Sequence, residues 1–192
     1  MRNAMIGLGV LVAVGCGSDG FNPSAPGSTR LNDLPPQDSS KLCIEALTFY
    51  QAKVSRAVEL ESACRGAGVT RVLSLPNQPT DAETRATCQA GYDACKTSPP
   101  PLVSDQSPAD LCAAGAGDFG TCTATVDQYA ACVTEVATTY ATTIPPCSQL
   151  TTAKVLELID DEGGPACQAI ATVCPDSATS ALMTSSALRL KK

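Results

Sequence analysis

Eleven cysteines and no histidine define the chemistry open to this 192-residue chain. Without histidine there is no Ser-His-Asp or Cys-His nucleophilic pair and no imidazole to hold zinc or copper. The thiols are spaced for structure. Zinc sites pair cysteines about two to four residues apart, and thioredoxin-like redox sites use C-x-x-C. Neither spacing occurs; the closest pairs, Cys88/Cys95 and Cys167/Cys174, are seven residues apart. On a helix that spacing puts both thiols on one face but ~10 Å apart along the axis. A disulfide needs Cα atoms ~4.4–6.8 Å apart, so each cysteine of such a pair must reach a different element.

Other reactive groups form no recognisable set. Asp160-Asp161-Glu162-Gly163-Gly164 lacks the alternating ligand spacing of a calcium loop and reads as a solvated acidic helix end. Lys154 follows Thr151 and Thr152, but no S-x-x-K motif is present. Glu45, Glu59 and Asp93 could do acid–base work only if the fold paired them. The expectation is therefore a protein with no catalytic residues, no metal site and no cofactor, and not an enzyme.

Cys16 stands apart from the other cysteines. It closes the apolar run Ala4–Val14, which follows Arg2; the sequence reads LVAVGC and continues GSDGFNPSAPGST. Eleven apolar residues make a signal-peptide h-region, whereas a membrane-spanning helix needs ~20. This layout resembles the predicted lipoproteins of Gram-negative bacteria, whose mature chain opens GCG or CGS and continues as a Gly/Ser/Asp/Pro tether. The resemblance implies a signal peptide over 1–15, acylation of Cys16, and export to the cell envelope with the membrane engaged through a lipid anchor. Gly17 after the acylated cysteine favours the outer membrane. Ala13 and Gly15 also suit ordinary secretory cleavage, which would leave a soluble protein with a free Cys16. Parity favours acylation: without Cys16, ten cysteines remain for five bonds.

The formal net charge is −6, and removing Arg2 makes it more acidic. The basic residues cluster only at Arg189, Lys191 and Lys192, so no nucleic acid partner is expected. Three Phe, four Tyr and no Trp leave the core to small aliphatic side chains. Disulfides, at ~2–4 kcal/mol each, are the natural supplement, and they persist in oxidising compartments.

The segment 16–40 is rich in Gly, Ser, Pro and Asp and reads as a flexible tether. A disulfide-rich helical domain is expected over 41–176, and a weak helix or frayed tail over 177–192. Leu47, Tyr50, Val54, Ala57 and Val58 lie on one helical face with Cys43, in a helix running from Lys41 to Gly66 and Gly68. Thr80-Asp81-Ala82-Glu83 is a capping box for a helix carrying Cys88 and Cys95. Ser107-Pro108 starts a short helix ending at Gly115 and Gly117. Val126, Tyr129, Val133, Val136, Ala137 and Tyr140 mark a long helix ending at Pro145-Pro146. Leu150, Ala153, Leu156 and Ile159 form the apolar face of the next, and Pro165 opens a last helix holding Cys167 and Cys174. No segment alternates apolar with polar residues, so the fold class is all-α: a small disulfide-braced helical bundle.

The two long helices share apolar offsets from Cys43 and Cys122, and C-Q-A-x4-C recurs at Cys88 and Cys167. An internal duplication of a long helix plus a C-x6-C helix would produce this. It would pair Cys43 with Cys95, Cys64 with Cys88, Cys122 with Cys174 and Cys147 with Cys167, leaving Cys112 for Cys132. That scheme requires the first helix to end well before Cys64. Residues 79–97, PTDAETRATCQAGYDACKT, and 144–151, IPPCSQLT, resemble the elicitins, helical disulfide-braced extracellular sterol-binding proteins. This likeness implies, as an alternative, a carrier of a small apolar ligand or lipid. The first expectation remains an extracytoplasmic, lipid-anchored binding or structural protein of the envelope, its protein or small apolar ligand partner unidentified.

Overall fold

A computed structural model describes residues 20–113, 119–160 and 163–174. These residues form seven α-helices: α1 (Pro36–Lys53), α2 (Arg56–Leu73), α3 (Asp81–Thr97), α4 (Pro108–Leu111), α5 (Val126–Thr139), α6 (Thr152–Asp160) and α7 (Pro165–Ala171). Among the described residues the only β pairing is an isolated bridge between Arg30 and Thr125. The chain is an all-α bundle braced by disulfides. The signal segment 1–15, Cys16, Gly115, Gly117, Asp161, Glu162 and the tail 177–192 lie outside the described residues.

Two apolar clusters organise the helices. One gathers α1, α5 and α7 around Leu42, Leu47, Tyr50, Val54, Val126, Tyr129, Val133 and Ile170. The other gathers α2, α3, α6 and the turn at Cys147 around Val69, Val72, Leu150, Val155 and Leu158. Tyr50 meets Tyr140 edge-on, with ring centroids 5.6 Å apart, and Phe119 meets Tyr129 likewise at 5.4 Å. Edge-to-face contact is the favoured arrangement of aromatic quadrupoles.

The expected first helix is two helices. It ends at Lys53, Val54 turns extended, and Ser55 caps α2 by accepting from the Val58 N–H. A buried Val54 at the bend keeps both helix ends on the core. The second departure concerns Gly66 and Gly68, which lie inside α2 and do not terminate it. α2 and α3 form an antiparallel hairpin in which Cys64 bonds Cys95. Four residues along each helix, Gly68 meets Gly91; a Cβ on Gly91 would lie 2.9 Å from the Gly68 Cα. Both glycines serve close backbone approach.

The disulfides are Cys43–Cys112, Cys64–Cys95, Cys88–Cys147, Cys122–Cys174 and Cys132–Cys167. Cys122–Cys174 is the pair shared with the expectation. Cys43–Cys95, Cys64–Cys88, Cys112–Cys132 and Cys147–Cys167 are replaced. The first helix does end before Cys64, as that scheme requires, but α1, ending at the break at Val54, packs on α4 and α5 and not on the hairpin, so Cys43 meets Cys112 at the end of α4. Hairpin register gives Cys64 to Cys95. Cys88, two turns earlier on α3, then faces the turn at Cys147. That bond joins the two segments that carry the elicitin likeness. Under a duplication, no bond in one half maps onto a bond in the other, so the pairing has no internal repeat. Cys174 also lies beyond the end of α7, not within it.

The segment read as a tether is different over 20–40. Residues 20–35 are an irregular strap laid on the bundle, with a turn closed by Thr29 N–H on Pro26 O and a 3-10 turn at Leu31–Asp33, and α1 begins at Pro36, a proline at the first helical position. Phe21, Pro23, Ala25, Gly27 and Thr29 are partly buried, Leu31 is fully buried, and the residues between them are exposed. This alternation leaves one side of the strap covered by the bundle and the other in solvent. Backbone bonds hold it: Leu31 N–H donates to Ala124 O (2.8 Å), Val126 N–H to Thr29 O (2.9 Å) and Asp127 N–H to Gly27 O (2.9 Å).

α6 also buries a different face. Val155 and Leu158 are inside, and Leu156 is 49% exposed. Thr152 sets this rotation by donating through its N–H to Asp81 Oδ1 (3.0 Å) and through its hydroxyl to Pro79 O (2.8 Å), at the start of α3. Two of the capped helices, α3 and α5, show a complete capping box: Thr80 with Glu83, as read from sequence, and Thr125 with Gln128.

The glycine contact makes a signed prediction. In an open helix Gly→Ala gains about 1 kcal/mol. At Gly68 the new methyl would lie 2.6 Å from the Cys88 carbonyl oxygen and 2.7 Å from its Sγ. Backbone and a disulfide cannot swing aside, and overpacking costs ~1–3 kcal/mol. Gly68→Ala should therefore lower the thermal midpoint despite the better helix former. A raised midpoint would show that the crossing is not tight.

Candidate functional site

Cys16, the residue with the most specific expected chemistry, is outside the described residues. The other ten cysteines are all consumed in disulfides. Among the described residues no group of three or more His, Cys, Asp or Glu side chains is placed to hold a metal ion. Nor, among the described residues, is there a helix long and apolar enough to cross a membrane. Lys154 pairs with Glu157 at 2.8 Å, and the Thr151 hydroxyl accepts the Lys154 N–H (3.1 Å).

The three carboxylates singled out from sequence have separate partners. Glu45 accepts the Ser24 N–H from the strap at 3.0 Å, with Lys41 3.9 Å away. Asp93 accepts from the Gln89 amide at 2.8 Å, one turn back on α3. Glu59 is the buried one, at 2% exposure. Its Oε1 accepts the Val103 N–H (2.7 Å) and its Oε2 the Ser104 N–H (2.9 Å). A buried carboxylate needs such donors to offset lost hydration.

Around Glu59 the turn at Val103–Asp105 is laced to α1 and α2. The Gln51 amide donates to Val103 O (2.8 Å) and Gln106 O (2.9 Å), and Arg56 Nε donates to Asp105 Oδ1 at 2.6 Å. With Leu102 and Val103 both buried, the turn is a plug held by its backbone. Burial drives the Tyr50 phenol far above its ordinary pKa, with smaller contributions from Tyr140 and then Glu59. Burial also raises Tyr140. These phenols stay neutral over any physiological pH. With both carboxylate oxygens committed to backbone donors, the cluster works as a brace.

A second polar network lies across the outside of the α2–α3 hairpin. The Tyr92 hydroxyl donates to Glu61 Oε2 (2.6 Å), and Arg65 Nε donates to Glu61 Oε1 (3.0 Å) while its Nη1 donates to Ile144 O (3.0 Å). Lys96 stands 3.8 Å from the same carboxylate. The Tyr92 hydrogen bond, followed by the lesser effects of Arg65 and Lys96, holds the Glu61 pKa below the ordinary carboxylate value despite opposing desolvation. The Glu61 bond raises Tyr92 in turn. Elsewhere, Glu135 Oε2 accepts the Cys167 N–H (3.0 Å) at the start of α7. Sequence reasoning did not find Glu61, Tyr92 or Glu135. The i, i+4 spacing of Glu61 and Arg65 was the available signal.

Removing the Glu59 acceptor should orphan two backbone donors, at ~1–3 kcal/mol for each that stays dry. Glu59→Ala is expected to lose more stability in urea unfolding than Glu59→Gln, which keeps one acceptor oxygen. Equal midpoints for both variants and the parent would mean that water replaces the carboxylate. For Glu61, a depressed folded pKa gives stability that is present above the ordinary value of ~4.3 and is lost as pH falls through the lower folded one. Tyr92→Phe should return the Glu61 midpoint, followed by carboxyl NMR, toward that ordinary value; an unmoved midpoint would assign the shift elsewhere. No family model matches this chain, and neither the curated proteins nor the solved structures contain a match to it.

Proposed function

We propose that this chain is a lipid-anchored extracytoplasmic protein of the bacterial cell envelope, attached through an acylated Cys16, with a binding or structural role and no catalytic activity. One observation carries the reading. Each of the ten described cysteines is bonded to another of the ten, so none remains for Cys16. An eleventh thiol at the end of an apolar run, beside Gly15 and Gly17, is a thiol with a different fate. Five disulfides also suit an oxidising, extracytoplasmic compartment. In the described domain, the buried carboxylate is saturated by backbone donors, which favours a binding or bracing role over acid–base chemistry.

The test is intact mass spectrometry of the protein extracted from membranes of its native host, together with fractionation of a Cys16→Ser variant. The mass should begin at Cys16 and exceed the peptide mass by a diacylglyceryl group with or without an amide-linked acyl chain. Cys16→Ser should move the protein out of the detergent-extracted membrane fraction. A mature protein with an unmodified Cys16 would remove the anchor from the reading and leave a soluble exported protein.

A further inference from the structure

The strap changes how far an anchored domain could stand from a bilayer. If 16–40 were a free tether, a fully extended chain would reach ~80 Å. The chain is instead on the bundle from Gly20 onward. A Cβ on Gly20 would lie 3.4 Å from Thr134 Oγ1, midway along α5, so this glycine sits directly against that helix. Phe21 N–H donates to the same hydroxyl at 2.8 Å, and the Phe21 ring packs on Phe49 of α1 with centroids 5.4 Å apart. Ser24 N–H is held by Glu45, and the residues after it by the backbone bonds to 124–127. Three residues separate Cys16 from Gly20, and the four chain steps between them span at most ~14 Å.

From this short leash we infer that the face of the domain where the strap begins, around Gly20–Asn22, Phe49 and Thr134, is seated against the phospholipid headgroups. The inference rests on the proposed acylation of Cys16. The occupant of the face is the surface into which the chain's own acyl groups insert. The proposed anchor carries two or three acyl chains, enough for stable attachment, so the length of the leash sets how close this face stays to the bilayer. α6, with the exposed Leu156, belongs to the second apolar cluster and carries no part of the strap.

The chain has no tryptophan, so single-tryptophan variants report without background. Asn22→Trp replaces an exposed strap residue, and Leu156→Trp replaces an exposed residue of α6. Each full-length protein, purified from membranes with its mass recorded, is reconstituted into phosphatidylethanolamine/phosphatidylglycerol vesicles carrying headgroup nitroxides. With the leash limited to ~14 Å, Asn22→Trp emission should be quenched about twofold or more relative to vesicles without nitroxide, and Leu156→Trp emission little changed. Insertion of a long Gly/Ser linker after Gly17 should reduce the Asn22→Trp quenching to the Leu156→Trp level. Acylated protein with equal quenching at both positions, or quenching that survives the linker, overturns the seated face and leaves the anchor standing. Protein with an unmodified Cys16 overturns both.

Discussion

Ten thiols closed on one another are the constraint on which this fold depends. With an aromatic share of 4%, the side chains bury modest area, and small aliphatic cores leave little margin over conformational entropy. The bonds close loops with separations from 31 to 69 residues. In the chain-entropy view each such closure removes ~4 kcal/mol of freedom from the unfolded chain, though the contributions of overlapping loops do not simply add. The bonds also respect the two cores. Cys43–Cys112, Cys122–Cys174 and Cys132–Cys167 lie within the α1/α5/α7 cluster. Cys88–Cys147 lies within the other, and Cys64–Cys95 clamps the two helices that build it. No disulfide joins one core to the other. That task falls to the chain itself and to polar contacts such as Glu59 with the 103–104 backbone, Arg56 with Asp105, and the Ser62 hydroxyl with Tyr140 O.

Much of the helical framework was legible in the sequence because it is written in local signals. The Thr80–Glu83 capping box, the proline at the first position of α4, and the stripe from Val126 to Tyr140 all correspond to observed elements. The exclusion of a bond within Cys88/Cys95 followed from helix geometry. The break at Val54–Ser55 was not legible, because it carries neither proline nor glycine: an apolar residue turns extended while staying buried, and periodicity runs across it. Glycines at 66 and 68 looked like terminators because glycine is poor in a helix. Here the close crossing of α3 outweighs that cost. Connectivity was the largest loss, since it depends on the bend, the hairpin register and the packing of distant turns together.

The strap and the polar brace were missed for a related reason. Gly, Ser and Pro made 20–35 look solvated, yet Phe21, Pro23, Ala25 and Leu31 fall at alternate positions, and that alternation was the signal of a segment with one covered side. Glu59 was visible only as one carboxylate among several. Its burial and its backbone donors come from a segment more than forty residues away, and no local pattern encodes that meeting.

The order of the thiols along the chain has a consequence for biogenesis. None of the five bonds joins neighbouring cysteines in sequence: Cys64 skips Cys88, Cys132 skips Cys147, and Cys43 waits for Cys112. A polypeptide that becomes available to an oxidant from its N-terminus offers Cys43 and Cys64 to each other long before the native partner of either has emerged. Oxidation before those partners emerge would build the wrong links, and arrival at the native set would then require thiolate attack on disulfides already made. Such reshuffling takes seconds to hours and is governed by the available isomerase. A host that oxidises thiols efficiently but rearranges them poorly would accumulate this protein as covalently trapped, misconnected isomers.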